Sequence, residues 1–223
     1  MALFLDCFDP DKIDAFSRLG VISGVTTNPS LISHESKPFN MQRRIQKIAG
    51  MVDGPVAVEV TTFNKDAMIE QARELYSWNP GQIVIKIPVS LEGYEVISEL
   101  EKKYAIPTMA TCIMNFTQAY AAALAGSHYL ALFWGRMEES GASPEETISL
   151  LAERLQMDRI NSRILAASIR GSHHVFNALA AGAHIVTVSP EILRQTLSHQ
   201  KTDEAVAKFK EDWRCARERG LME

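Results

Sequence analysis

No apolar run in the 223 residues approaches the roughly 18 that a membrane-spanning helix needs, so no membrane partner is expected. The apolar opening from Met1 to Leu5 meets Asp6 at once and lacks a basic segment, so it does not read as a secretory signal. Cysteine is scarce. Cys7, Cys112 and Cys215 form no CxxC pair, and so odd and sparse a set suits reduced thiols in a cytoplasmic protein. Charge of either sign is close to balanced, with 23 Lys plus Arg against 27 Asp plus Glu and a formal charge of −4, which gives nucleic-acid binding no support from bulk charge. There is no GxGxxG, no Walker A motif and no low-complexity stretch. Hydrophobic residues at 46% and charged residues at 22% are enough to fill a core, which argues against disorder.

What is present is a repeated alternation. Short apolar runs lie at 3–6, 24–28, 56–60, 83–87, 107–111, 129–133, 164–168 and 185–189. Stretches with helical spacing separate them. Asn64 to Trp78 carries Ala67, Met68, Ala72 and Leu75 at helical offsets, and Glu92 to Tyr104 puts Val96, Ile97 and Leu100 on one face. Ser143-Pro144-Glu145-Glu146 is a strong helix start: an N-cap hydroxyl, proline in the first turn and carboxylates at the positive end of the dipole. Thr202 to Arg217 predicts a last helix with Ala205, Val206, Phe209 and Trp213 as its apolar face.

Nearly continuous β-branched strands alternating with helices imply a parallel sheet covered by helices. Eight repeats favour a closed (β/α)₈ barrel, which typically takes ~250 residues, so loops here would be short. An open doubly wound sheet is the alternative, but its usual glycine-rich first turn is missing from Leu5-Asp6-Cys7-Phe8-Asp9. A single α/β barrel domain over 1–223 is expected.

Strand periodicity then sorts the polar residues. Val56, Val58 and Val60 share one face, leaving Ala57 and Glu59 on the other; Ile83, Ile85 and Ile87 likewise oppose Val84 and Lys86. If the apolar trios meet helices, Glu59 and Lys86 point into the barrel. Asp6, Asn28, Thr111 and Ser168 lie at or near the carboxyl ends of their runs, where barrel active sites are built. Two readings of Lys86 stay open at this point. One is a structural lysine paired with a carboxylate. The other is a Schiff-base lysine, whose burial disfavours the ammonium form and supplies the amine that attacks a ketone. Glu59 and Asp6 would then be the proton carriers. Arg136 and Arg170, following the sixth and seventh strands, are either solvated surface residues or, with Ser168, a forked site for phosphate.

Other features carry less. His173-His174 has no third ligand at metal spacing and reads as a helix start. Cys7 and Cys112 follow strand-end polar residues and are expected near the site as small buried side chains. Tyr129, Phe133 and Trp134 would line a pocket or fill the barrel mouth.

The pieces Gly24-Val25-Thr26-Thr27-Asn28-Pro29-Ser30, Ile85-Lys86-Ile87-Pro88-Val89, Ala167-Ser168-Ile169-Arg170 and the tail from Ala205 to Trp213 resemble, in this order and spacing, the short members of the transaldolase family. That branch includes the fructose-6-phosphate aldolases, and the likeness runs almost end to end. It implies a (β/α)₈ barrel with class I aldolase chemistry, sugar-phosphate substrates and no metal or organic cofactor. Lys86 matches the Schiff-base lysine and Asp6 the residue exchanging the hydroxyl proton at the cleaved bond. Asn28 matches a ligand of the donor hydroxyls, with Thr26 close by, and Glu59 and Thr111 match the pair holding the water used in imine formation and hydrolysis. Arg136, Ser168 and Arg170 match the phosphate set.

Within the family, the positions matching Glu59 and Phe133 are Gln and Tyr in the aldolase branch, so the pair here implies transfer of a dihydroxyacetone unit rather than its release. Trp134 stands where many transaldolases have Val and is expected to narrow or reshape the acceptor pocket. Met109 stands where many have a polar Asn. The resemblance also implies a homo-oligomer, a pentamer or decamer, in which the helix at 202–217 packs on a neighbouring subunit.

Overall fold

The computed structural model describes residues 2–221; Met1, Met222 and Glu223, the ends of the expected 1–223 domain, lie outside them. The first half of the chain runs β1 (Ala2–Asp6), α1 (Pro10–Ser17), β2 (Ile22–Thr26), α2 (Pro29–Ser33), α3 (Met41–Ala49), β3 (Val56–Glu59), α4 (Lys65–Ser77), β4 (Ile83–Pro88) and α5 (Leu91–Lys103). The second half continues β5 (Thr108–Ile113), α6 (Phe116–Ala125), β6 (Tyr129–Phe133), α7 (Trp134–Glu139), α8 (Pro144–Met157), β7 (Arg163–Ala167), α9 (Ser172–Ala180), β8 (Ile185–Val188), α10 (Pro190–Leu197) and α11 (Gln200–Glu218). Each strand pairs in parallel with the next, and β8 returns to β1 through Ala2–Ile185 and Leu5–Val188, closing the barrel. The (β/α)₈ reading holds.

Two apolar layers follow from the period of two. Outward residues such as Val56, Val58, Ile83, Ile85 and Ile87 pack with helix residues including Met68, Ala72, Val96, Ile97 and Leu100. Inward ones, Phe4, Ala57, Val84, Met109, Ala131, Leu165 and Ile185, form a separate cluster inside the barrel. Large residues there are offset by small ones. Gly24 is needed beside Phe4, because a Cβ at that position would come 2.7 Å from the ring. One pleat further along, the inward residues turn polar: Phe4 is followed by Asp6, Ala57 by Glu59, Val84 by Lys86, Met109 by Thr111 and Ile185 by Thr187. This step from an apolar plug to a polar layer builds the site.

Boundaries moved where side chains cap helices. The second strand is Ile22–Thr26 rather than 24–28, because Asn28 leaves the sheet to cap α2, its Oδ1 accepting from the Leu31 N–H at 2.9 Å. Asn64 caps α4 and Ser143 caps α8 in the same way. The last helix begins two residues earlier than expected, and none of its residues is buried. Val206, Phe209 and Trp213 on its apolar face are 44%, 68% and 62% exposed, so the stripe that predicted the helix does not pack on its own barrel.

Candidate active site

Lys86 lies on β4 directly opposite Glu59 on β3, in strand register. Its Nζ is 3.0 Å from Glu59 Oε2 and donates to the Thr27 carbonyl at 2.9 Å, with the residue 5% exposed. Both acceptors come from strands to one side of β4, so the amine is held against β2 and β3. Wall space towards β5 is left to Met109 and Thr111.

Asp6 is gripped from the other side. Thr26 Oγ1 donates to Asp6 Oδ1 at 2.7 Å, and Asn28 Nδ2 sits 3.4 Å from both carboxylate oxygens. Because the Asn28 oxygen is committed to capping α2, its amide faces Asp6 donor-first. Thr26 has one hydroxyl hydrogen. Giving it to Asp6 means that Thr187 Oγ1, 2.7 Å away, donates to Thr26 in turn. Burial pushes the Asp6 carboxyl above its ordinary range; Lys86, Thr26 and Asn28 oppose that shift, and the Glu59 charge adds to it. A carboxyl so disposed holds and returns a proton nearer neutrality than an exposed aspartate.

These groups open into a cavity of about 630 Å³ at the carboxyl ends of the strands. Thr111 lines it, with its Oγ1 buried and without a hydrogen-bond partner among the described residues. The hydroxyl therefore keeps a free donor and a free acceptor beside the chamber. Phe133 contributes an apolar wall. Arg136 and Arg170 stand at the same rim with Ser168, the Arg136 guanidinium carbon 5.5 Å from the Phe133 ring centroid. Arg170 has one ion-pair partner, exposed Glu139 at 3.4 Å, and Arg136 has none among the described residues. Ser168 adopts a left-handed backbone (φ 58°), and Cys112 another (φ 60°), both bordering the cavity. Such conformations cost non-glycine residues about 1–3 kcal/mol and cluster where function shapes the chain.

All ten residues expected at the site thus border one chamber: Asp6, Thr26, Asn28, Glu59, Lys86, Thr111, Phe133, Arg136, Ser168 and Arg170. Trp134 is a correction. It is fully buried in the outer layer, donating from Nε1 to Glu138 Oε1 at 2.9 Å, and does not line the cavity. The parity of β6, with Ala131 and Phe133 inward, already puts the next residue outside. Cys7 likewise packs in the outer layer, whereas Cys112 does reach the cavity. Burial and the Glu59 charge raise the Cys112 thiol above its ordinary pKa. His173 and His174 lie in the first turn of α9, as their sequence suggested. Sequence reasoning missed Thr187 and the Thr27 carbonyl. Thr187 shares the inward parity of Ile185 and was legible; a backbone carbonyl carries no sequence signal.

A closed parallel barrel with a buried lysine, two carboxylates and two arginines around one cavity at its carboxyl end has the layout of a barrel-enzyme active site. The family model described as "Transaldolase/Fructose-6-phosphate aldolase" matches residues 3–220. A probable transaldolase of Desulforudis audaxviator is 42% identical over 213 residues, 96% of this chain and 97% of the relative. Probable transaldolases of Streptococcus agalactiae and Clostridium botulinum are each 38% identical, over 96% and 97% of this chain and 97% and 98% of their own. The chain belongs to the transaldolase/fructose-6-phosphate aldolase family and is a transferase-type enzyme. Among solved structures, inosine 5′-monophosphate dehydrogenase from Legionella pneumophila matches with a TM-score of 0.60 at 15% identity, over 86% of this chain and 58% of that one. That likeness concerns the barrel alone.

Proposed function

We propose that this chain transfers a three-carbon dihydroxyacetone unit between sugar phosphates through a Schiff base on Lys86. The reaction would convert sedoheptulose 7-phosphate and glyceraldehyde 3-phosphate to erythrose 4-phosphate and fructose 6-phosphate. The observation that carries this reading is the Lys86 nitrogen, held 3.0 Å from the Glu59 carboxylate in the floor of a chamber with two arginines at its rim.

Glu59 accepts a hydrogen bond from Nζ and takes the proton the amine loses before attack. The amine adds to the keto carbon, and water leaves to give an iminium ion. That cation is an electron sink for the carbon–carbon bond two atoms away. Asp6 removes the proton from the hydroxyl at the far end of this bond, the bond breaks, and an aldehyde departs from an enamine still joined to Lys86. Asn28 and Thr26 hold donor hydroxyls, while Arg136, Ser168 and Arg170 receive the phosphate through charge-assisted hydrogen bonds. The acceptor aldehyde then takes the enamine's electrons, with Asp6 returning the proton. Glu59 and the unpartnered Thr111 hydroxyl hold the water that frees the product.

A second reading, release of free dihydroxyacetone as in fructose-6-phosphate aldolases, shares every step except the fate of the enamine. Phe133 favours transfer, since its ring brings no hydroxyl to the chamber to deliver water. Supplying fructose 6-phosphate without an acceptor separates the two. Transfer predicts little sustained dihydroxyacetone; release at the rate of transfer assigns the aldolase reaction instead. A non-catalytic phosphosugar-binding barrel is the third reading, and it predicts no adduct on Lys86 after borohydride reduction with donor sugar.

No helix among the described residues is long and apolar enough to cross a membrane. The free thiols of Cys7, Cys112 and Cys215 support a reduced, cytoplasmic setting, and the exposed apolar stripe of α11 supports a homo-oligomer in which that helix packs on a neighbouring subunit.

A further inference from the structure

Behind the two arginines lies a polar chain that the proposed reaction does not use. Trp134 and Glu138, one turn apart on α7, are joined by the indole N–H on Glu138 Oε1 at 2.9 Å. The other carboxylate oxygen, Oε2, lies 3.3 Å from Nε2 of His174, which is buried in the first turn of α9. The remaining ring nitrogen, Nδ1, accepts the backbone N–H of Arg170 at 3.3 Å. One nitrogen must accept and the other faces a carboxylate, so the ring carries its hydrogen on Nε2. The indole and imidazole rings also pack at 5.7 Å, and the neighbouring His173 ring lies 4.1 Å from that of His174.

A backbone bond runs parallel to this chain, from Gly135 N–H to the Ser168 carbonyl at 3.1 Å. Only glycine permits it: a Cβ at 135 would sit 2.6 Å from that carbonyl oxygen and 2.7 Å from Arg170 Cγ. The exits of β6 and β7 are therefore strapped together twice, with Arg136 on one side of the strap and Arg170 on the other.

We propose that Glu138 and His174 are positioning residues for anion recognition, fixing the backbone of Arg170 against the α7 turn so that its guanidinium and that of Arg136 converge on one phosphate group. Neither residue borders the cavity, so they act through Arg170. Burial holds His174 below its ordinary pKa, while Glu138 and Glu145 oppose that and His173 adds to it. The neutral ring this favours is the form with a lone pair free for the Arg170 N–H. Long-range ordering of this kind matters because both guanidinium groups are exposed, and an exposed arginine loses much of its binding energy to side-chain freedom.

The inference rests on Arg136 and Arg170 being the phosphate site, and its test separates the two. Sulfate, which does not titrate near neutrality, serves as a competitive inhibitor against sugar phosphate; borohydride trapping of unphosphorylated dihydroxyacetone on Lys86 reports the chemistry independently. His174→Phe, which keeps a ring but no acceptor, should raise the inhibition constant of sulfate about tenfold, or about 1.4 kcal/mol, with trapping unchanged. His174→Asn, whose side-chain oxygen can still receive the Arg170 N–H, should recover most of that loss. Glu138→Gln keeps the volume but offers one acceptor oxygen where two are used, and should weaken sulfate severalfold. It carries the test if the phenylalanine variant does not fold. Unchanged sulfate inhibition in both variants, or trapping that falls in step with it, overturns the positioning role. Arg170→Gln is the control: if it too leaves sulfate inhibition unchanged, the arginine site itself is wrong and both proposals fall.

Discussion

Lys86 and Glu59 face each other across two adjacent parallel strands, paired in register and joined nitrogen to oxygen at 3.0 Å. The two residues are mostly withdrawn from water, so neither is stable alone there: removing one partner of a buried ion pair leaves an uncompensated charge. The same contact that makes the pair structurally interdependent gives the amine a nearby base.

Replacing one partner at a time exposes that dependence. Lys86→Met should abolish turnover and borohydride trapping and lower stability by about 3 kcal/mol, because Glu59 is left buried without its counter-charge. Adding Glu59→Gln should recover most of the stability and none of the activity. Denaturant unfolding of both variants checks this, and equal destabilisation would mean that the carboxylate is hydrated rather than dependent on the lysine.

Asp6 makes opposite demands on activity and stability. Its carboxyl is pushed up chiefly by burial, so the native chain binds that proton more tightly than the unfolded one. The associated stability is fully present below the unfolded pKa and is lost as pH rises through the higher folded value. Asp6→Asn should therefore cut transfer by about a hundredfold or more yet melt at a higher temperature than the wild type at alkaline pH. That advantage should shrink as pH falls towards the ordinary carboxyl range. Melting curves across pH read it directly, and a variant less stable at every pH would contradict the buried-acid account.

Phe133→Tyr places a hydroxyl on the cavity wall near the Arg136 guanidinium. The ratio of dihydroxyacetone release to transfer should rise about tenfold, a modest share of what a positioned proton carrier contributes. Product analysis with and without acceptor aldehyde measures the ratio; no change would remove Phe133 from the choice between release and transfer.

The apolar stripe of α11 predicts a size change. A chain ending at Ser198 lacks exposed Val206, Phe209 and Trp213, and should sediment as a smaller species than the full chain, with the barrel's far-ultraviolet spectrum retained in proportion. Identical sedimentation of the two would take the helix out of the assembly.

Period-two alternation alone turned Glu59 and Lys86 inward, and eight strand–helix repeats sufficed to indicate a closed barrel. Both are local properties, since adjacent residues on a strand point to opposite faces whatever the rest of the chain does. Short sequence pieces around Asn28, Lys86 and Arg170 pointed to the family for the same reason: each is contiguous and legible without the rest of the fold. Barrel closure decided what locality could not reach. It brought Thr187 on the last strand to Thr26 on the second, while the pairing of consecutive strands carried the Thr27 carbonyl to Lys86 and set His174 beside Glu138. Those contacts depend on inter-strand register and on how each loop leaves its strand, and no single segment encodes either; the Thr187–Thr26 contact exists only once β8 closes on β1.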